Sequence, residues 1–199
     1  MTLKWQRLEF SLTALMNYKR PIQTDMPQQI VELPWAAWFQ DTVHPLCFPS
    51  SFSVDVLQPP ATDACHQNQI DKALDAPVDA TRIEQLCRSS DRVCIVVDDL
   101  ARPTRMAGVL ASVLRRLHDV GIEPSRITIV IATGTHSPLT EQQARWKVSD
   151  EIADRYTVKS HDAESTVSTG IAYGKETLKI NQTFLQADFK IGITTILPH

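Results

Sequence analysis

Two polar segments of the chain each follow a short apolar run. The segment DDLARPTR (98–105) follows VCIVV (93–97), and the segment TGTHSP (133–138) follows ITIVI (127–131). Apolar runs of this length are typical of buried parallel strands, and the ligands of open α/β sheets bind outside the carboxyl ends of such strands. The sequence therefore predicts that both polar segments meet at one rim of a sheet.

The side chains of these segments suit the binding of an acid and the transfer of a proton. Arg102 and Arg105 could each hold a carboxylate or a phosphate through paired N–H donors. His136 could exchange a proton close to neutral pH. Asp98 and Asp99 add two carboxylates, of which one is expected to point into the site, because successive strand residues face opposite ways.

A further histidine ends the sequence in the same context. His199 follows the apolar run IGITTI (191–196) and closes the segment ILPH. His161 also follows a strand pattern, but it is interpreted as a surface residue. The chain therefore looks cut off within a candidate active site.

Other interpretations of these residues stay open. The aspartates at 98 and 99 could instead cap a helix that starts near Met106, which would account for one carboxylate but not for the neighbouring arginines. The His136 imidazole could be a solvated loop side chain. An acidic strand end also resembles the magnesium site of nucleotide hydrolases, but GIAYGKE (170–176) lacks the spacing and the Ser or Thr of a phosphate loop.

The composition is typical of one large globular domain, with 43% apolar and 22% charged residues in 199. A net charge of −3 provides no basic field, so nucleic acid is not expected as a partner. No apolar run approaches the ~20 residues that span a membrane, and the N-terminus lacks a signal-peptide core. The four cysteines lack metal-site spacing and are interpreted as reduced thiols of a cytoplasmic protein.

Strand and helix patterns alternate along the second half of the sequence. This alternation predicts an α/β fold with a mostly parallel, Rossmann-like sheet and helices on both faces. Residues 1–30 are interpreted as an N-terminal arm, and residues 31–199 as the α/β domain. Strands are expected at 51–56, 93–97, 127–131, 156–159, 177–180 and 189–193, and helices at 68–74, 81–87, 106–118 and from Thr140 onward.

Three motifs, in this order, resemble the N-terminal domain of the nickel-dependent lactate racemase family. They are DDLARP (98–103), ATGTHSP (132–138) and ADFKI (187–191), the last running on to the histidine at the end of the chain. The resemblance extends over about residues 50–199 and implies the α/β fold of that domain, truncated at its C-terminal end relative to the family.

The resemblance implies a racemase or epimerase of 2-hydroxy acids that uses a nickel-pincer nucleotide. His136 and His199 match the two catalytic histidines of the family, which handle the substrate hydroxyl proton from opposite sides. A hydride meanwhile passes from the substrate carbon to the cofactor and returns to either face of a planar 2-oxo intermediate. Such a pair of imidazoles can exchange general acid and base roles.

The resemblance also implies residues that bind the substrate and the cofactor. Asp99 and Arg102 match contacting positions of the family, and the match makes Asp99 the carboxylate expected to face the site. Thr133 and Gly134 belong to the same matched loops as binding candidates. The neighbouring Asp98 and Arg105 are further candidates.

The sequence departs from the family pattern in places that bear on its substrate. Ala101 stands where the family usually has Thr, Ser137 where it often has Arg, and LPWA (33–36) where it has LPYG. These departures are compatible with a 2-hydroxy acid other than lactate. The cofactor-tethering lysine and the nickel-ligating histidine of the family would follow His199, so no metal ligand is expected within this chain, and the chain alone is expected to be inactive.

Two other classes of function stay open beside the enzyme. The rim could bind a small organic anion through Arg102 and Arg105 without turnover. Alternatively, the final strand pattern (189–197) could pair with another chain, either in a homo-oligomer or with a complementing C-terminal half. Because the cofactor-holding positions of the family are missing, the chain is expected to be a fragment of a longer protein, one half of a split gene or a remnant with another role.

Overall fold

The computed structural model describes residues 28–35, 42–57 and 65–196. The chain divides into two compact units, one of residues 1–32 and 45–57, and one of residues 33–44 and 58–199. Strands β1 (Gln28–Trp35) and β2 (Thr42–Pro49) form a two-stranded sheet of their own. Residues 1–27 of the expected arm lie outside the described residues.

The strand expected at 51–56 is wrong, although its residues alternate between polar and apolar. The strand of this region ends at Pro49, and the amide of Phe52 donates to the Pro49 carbonyl at 3.0 Å, which turns the chain. Residues 53–57 then run without regular structure and are mostly exposed. Alternation alone did not make a strand, because a strand also needs a neighbouring strand to satisfy its backbone groups.

The second unit is built on a four-stranded parallel sheet in the order β5-β4-β3-β8. This arrangement confirms the predicted α/β fold with a mostly parallel sheet. The strands expected at 93–97, 127–131, 156–159 and 189–193 are all present within a residue of their predicted bounds. The strands are β3 (Val93–Asp98), β4 (Ile127–Ala132), β5 (Thr157–Ser160) and β8 (Phe189–Ile193).

Helices lie on both faces of this sheet, as the sequence predicted. On one face of the sheet, the larger apolar cluster includes Ile95 and Ile129. On the other face, a smaller cluster holds Cys94 and Val130, with Phe184 packed against them. The helices are α1 (Gln67–Asp75), α2 (Ile83–Leu86), α3 (Ala107–Asp119), α4 (Glu141–Val148), α5 (Asp150–Arg155) and α6 (Gln182–Gln186). None of the helices in the described part of the chain has the length and apolar character that crossing a membrane requires.

Local sequence chemistry explains where the helices that flank the site begin. At the start of α4, the Thr140 hydroxyl accepts from the Gln143 amide at 3.3 Å, and the Gln143 side chain accepts from the Thr140 amide at 2.9 Å. This reciprocal pair is the expected capping box. Helix α3 begins after Met106 without a side-chain cap. The interpretation of Asp98 or Asp99 as its cap is therefore wrong.

An antiparallel hairpin between β5 and β8 was only partly predicted. Strand β7 (Glu176–Asn181) was expected, but β6 (Thr166–Tyr173) was not. The two strands pair antiparallel, and Gly174, with φ of +63°, lies in the tight turn that joins them. The glycine-rich segment at 170–176 is thus a hairpin, which further disfavours a phosphate loop.

The order in which the chain adds strands reverses at β3, and this reversal positions the site. The chain adds β4 and β5 on one side of β3 and then returns to add β8 on the other. Both neighbours of β3 are parallel to it, with Val97 paired to Ile131 and to Ile193. In such sheets the crevice for ligands opens at the carboxyl ends beside the strand where the order reverses.

Candidate functional site

The site lies at the carboxyl edge of the parallel sheet, where three strands deliver their following loops. Asp98 ends β3 and Asp99 follows it, Thr133 comes directly after β4, and Thr195 comes two residues after β8. Because the strands are in register and parallel, these loops leave the sheet at the same edge. The structure thus brings together the two polar segments that the sequence placed at one rim.

A carboxylate and an imidazole form the reactive pair of this edge. Asp99 Oδ2 lies 2.8 Å from His136 Nδ1, and Asp99 Oδ1 accepts from the Ala101 amide at 2.6 Å. The Asp99 side chain is 11% exposed and that of His136 is 67% exposed. An ionised carboxylate only accepts hydrogen bonds, so His136 donates its Nδ1–H and leaves Nε2 for a ligand.

The loop that carries His136 is held by its own backbone. The His136 amide donates to the Thr133 carbonyl at 3.0 Å, and the buried Thr133 hydroxyl donates to the His161 carbonyl at 2.7 Å. Gly134 has φ of +61° and allows the loop to turn back. Thr133 therefore anchors the loop to the neighbouring strand end, whereas Gly134 is exposed at the rim. His161 is half-buried, and its Nδ1 accepts from the Asn181 side-chain amide at 3.1 Å.

The two arginines of the first loop both lie at the surface. The Arg102 amide donates to the Asp99 carbonyl at 3.2 Å, which folds the loop into a turn. Within the described part of the chain, no hydrogen bond or ion pair engages the Arg102 guanidinium. Arg105 is exposed two residues before α3. The Arg102 guanidinium is thus available to an anion, and Arg102 shares its turn with Asp99.

Asp98 faces a buried lysine that the sequence analysis missed. Its Oδ1 lies 2.6 Å from Lys147 Nζ, and its Oδ2 accepts from the Thr104 hydroxyl at 2.9 Å and from the Thr195 amide at 3.3 Å. The Thr104 and Thr195 hydroxyls also contact each other. The signal was present, because Lys147 lies three residues after the core-facing Ala144 and so shares the inward side of α4.

Two predictions about the sheet edge remain: the place of His199 and the absence of metal ligands from this chain. His199 lies outside the described residues, so its place relative to His136 stays a prediction. Among the described residues, no group of three or more histidine, cysteine, aspartate or glutamate side chains could hold a metal ion. The described site therefore consists of the carboxylate–imidazole pair, the anchored loop and the available guanidinium.

These features define a class of protein: an α/β domain with a candidate ligand site at the carboxyl edge of a parallel sheet. Residues 39–199 match the family described as the lactate racemase N-terminal domain. Since this match covers most of the sequence, the chain belongs to that family. The family resemblance seen in the three motifs is thereby confirmed.

Individual relatives agree with the family assignment. The lactate racemase of Lactiplantibacillus plantarum is 29% identical over 136 residues, which cover 67% of this chain and 32% of that protein. The lactate racemase of Thermoanaerobacterium thermosaccharolyticum is 24% identical over 135 residues, which cover 65% of this chain and 31% of that protein. The chain therefore spans about a third of the length of these relatives.

A solved structure shows the same fold. The structure of the lactate racemase apoprotein from Thermoanaerobacterium thermosaccharolyticum superposes with a TM-score of 0.58 at 19% identity. The match covers 82% of this chain and 38% of that chain. The chain therefore shares its fold with part of that racemase structure.

Proposed function

We propose that this chain supplies the substrate-binding and proton-transfer part of a racemase or epimerase of 2-hydroxy acids. The observation that carries the proposal is the Asp99–His136 hydrogen bond of 2.8 Å, whose Asp99 shares a turn with Arg102. The family membership and the relatives described as lactate racemases support it. A cation for the carboxylate and a base for the hydroxyl are the two groups that a 2-hydroxy acid requires.

Each residue has a distinct task in this proposal. Arg102 holds the substrate carboxylate through paired N–H donors. His136 Nε2 accepts the proton of the substrate hydroxyl and can return it to the same oxygen. Asp99 keeps the proton of His136 on Nδ1 and stabilises the imidazolium while it exists.

The family resemblance implies a nickel-pincer nucleotide, and the described residues fit only one part of that group. The exposed Arg105 at the rim suits the anionic phosphate of a nucleotide. The donor set does not suit the metal, because no cluster of three potential ligands occurs among the described residues. When bound, the cofactor would supply the reversible hydride acceptor that His136 and Arg102 lack.

His199 is proposed as the second acid–base residue. A racemase needs proton transfer for both enantiomers, and a single imidazole on one side serves only one of them well. The Thr195 amide, four positions before His199 in the sequence, donates to Asp98 Oδ2 at 3.3 Å. This contact brings the segment that leads to His199 to the same edge of the sheet as His136.

A binding titration tests the proposal on the chain itself. The imidazole signals of the histidines are followed by NMR while enantiopure 2-hydroxy acids, or the matching acids without the hydroxyl, are added. We expect the His136 signal to shift with the hydroxy acids, R102A to weaken binding at least tenfold, and the deoxy acids to bind less tightly. Arg126→Ala, at the opposite edge of the sheet, is the matched control and should bind as the unmodified chain does.

Two results separate the proposal from its alternatives. The holoprotein is the complete protein with its cofactor bound. Equal affinity for hydroxy and deoxy acids, with no turnover in the holoprotein, would establish an organic-anion module in place of the enzyme. Binding that leaves the His136 signal unchanged, and that R102A does not weaken, would place the ligand elsewhere and overturn the proposal.

A further inference from the structure

Lys147 is the largest fully buried side chain of the described residues, and the proposed reaction does not use its ammonium. The side chain is fully buried, and Nζ has three oxygen neighbours: Asp98 Oδ1 at 2.6 Å, the Arg102 carbonyl at 3.0 Å and the Thr104 carbonyl at 3.3 Å. The two carbonyls accept hydrogen bonds from Nζ, whereas Asp98 Oδ1 faces it as the opposite charge of an ion pair. The ammonium is therefore held between a carboxylate and two main-chain oxygens.

Core stability alone does not explain this lysine. Removing an ammonium from water costs free energy, and apolar residues of similar volume often stabilise a core as well as a buried ion pair does. Its neighbour Val148 is likewise fully buried, but in the apolar core. The difference between the two residues is that Lys147 reaches the main chain of a functional loop.

The contacts of Lys147 lie on either side of Pro103. By accepting from the same ammonium, the Arg102 and Thr104 carbonyls are fixed relative to helix α4. The Arg102 side chain leaves the backbone next to one of these carbonyls, and its guanidinium has no partner of its own within the described residues. Lys147 thus fixes the Arg102 backbone, from which the guanidinium extends towards an anion.

Asp98 extends the same contact set to a second segment. While Oδ1 faces Lys147, Oδ2 accepts from the Thr104 hydroxyl and from the Thr195 amide. The ion pair therefore joins the arginine loop, helix α4 and the segment after β8. One buried pair links the two segments that carry the proposed substrate-binding arginine and the second histidine.

We propose that Lys147, paired with Asp98, is a positioning residue that fixes the arginine loop (99–105) for anion binding. This inference rests on the proposed function for what the loop binds, but the fixing of the loop is a property of the chain itself. Lys147 does not touch the substrate. It acts through the backbone of Arg102.

The first experiment measures loop order without any activity. K147M alone would leave the Asp98 carboxylate buried without its counter-charge, so the test variant is D98N/K147M, in which the side-chain amide oxygen at position 98 can still accept from Thr104 and Thr195. We expect solvent exchange of the Ala101 and Arg102 amides to rise about tenfold, with exchange in β4 unchanged. K190M is the matched control, because Lys190 also donates to a main-chain carbonyl, that of Ala187 at 2.5 Å, but outside this loop.

The second experiment uses the holoprotein and a double-mutant cycle. We expect D98N/K147M to raise KM for the 2-hydroxy acid about tenfold with a smaller change in kcat, because a displaced guanidinium weakens binding of substrate and transition state alike. In an R102A background the same pair of substitutions should leave KM unchanged, since Lys147 acts through Arg102. A merely structural role would lower stability and kcat in both backgrounds.

The outcomes separate this inference from the proposed function. Unchanged amide exchange at Ala101 and Arg102 overturns the positioning role, whatever the protein catalyses. Full additivity with R102A also overturns it, while the proposed function stands. A wild-type holoprotein without turnover overturns the proposed function, and the exchange measurement then decides the positioning role by itself.

Discussion

The hydrogen bond between Asp99 and His136 gives the sharpest prediction about catalysis. In D99N the side-chain oxygen can still accept from the Ala101 amide, so the turn that carries Arg102 is preserved. The amide nitrogen then faces His136 Nδ1 and can only donate. The imidazole must accept at Nδ1 and carry its proton on Nε2, which is the wrong tautomer for a general base.

The magnitude follows from the exposure of the pair. A charge-assisted hydrogen bond contributes about 1.5–3 kcal/mol when it is shielded from water. The His136 side chain is 67% exposed, so solvent screening reduces this contribution to about 1–1.5 kcal/mol. We therefore expect D99N to lower kcat/KM about tenfold, since 1.36 kcal/mol corresponds to a factor of ten.

The assay compares chiral conversion of an enantiopure 2-hydroxy acid by holoprotein variants. H136Q should lower kcat by about a hundredfold or more, and D99N should have no further effect in that background. Asp91 provides the matched control, because it also accepts from a loop amide, that of Arg88 at 2.8 Å, but at the opposite end of β3. A D99N effect that persists undiminished in H136Q would refute the reasoning, since Asp99 would then act without the imidazole.

Three further predictions concern stability and reactivity. Ser149 has φ of +89° and ψ of 156°, a region that favours glycine, so S149G should raise the free energy of unfolding by about 1 kcal/mol and Tm by ~2–4 °C; a lower Tm would contradict this. Burial raises the pKa of the Cys94 thiol to about 11 and also raises the pKa of the Cys87 thiol. A thiol reagent at pH 8 should therefore label the exposed Cys47 and Cys65 rapidly, and Cys87 and Cys94 only on unfolding. Rapid labelling of all four thiols would refute this prediction. The Arg92 guanidinium lowers the pKa of Asp188 from 3.8 to about 2, so this pair stabilises the fold above pH ~4 and loses its effect as the pH falls towards 2; D188N should flatten acid unfolding over that window, and an unchanged profile would exclude the pair as a cause.

The parallel strands could be predicted because their sequence signal is local and strong. The signal is strongest in β3 and β4, whose mainly apolar runs are those of strands covered on both faces. Strands β5 and β8 carry a lysine each, and β8 was still predicted with its observed bounds. The rim followed from topology, since loops after parallel strands share one edge. The pairing of Asp99 with His136 needed only that the two loops be neighbours.

Other features depend on contacts that are distant in sequence. Strand β6 carries glycine and serine and exists because β7 pairs with it, so its own residues gave little signal. The Asp98–Lys147 pair joins residues 49 positions apart, and no local pattern announces which buried carboxylate a helix lysine will meet. The segment at 51–56 shows the converse, because a good alternating pattern without a partner strand stays irregular.

The central claim is that His136 transfers the proton of a 2-hydroxy acid at this edge. The most direct measurement is the stereochemical conversion of a panel of enantiopure 2-hydroxy acids by the holoprotein, with wild type and H136Q compared at equal cofactor loading. The account predicts that wild type interconverts at least one of these acids and that H136Q slows this by about a hundredfold or more. Conversion by H136Q at the wild-type rate would contradict it, because the imidazole at the rim would then take no part in the reaction.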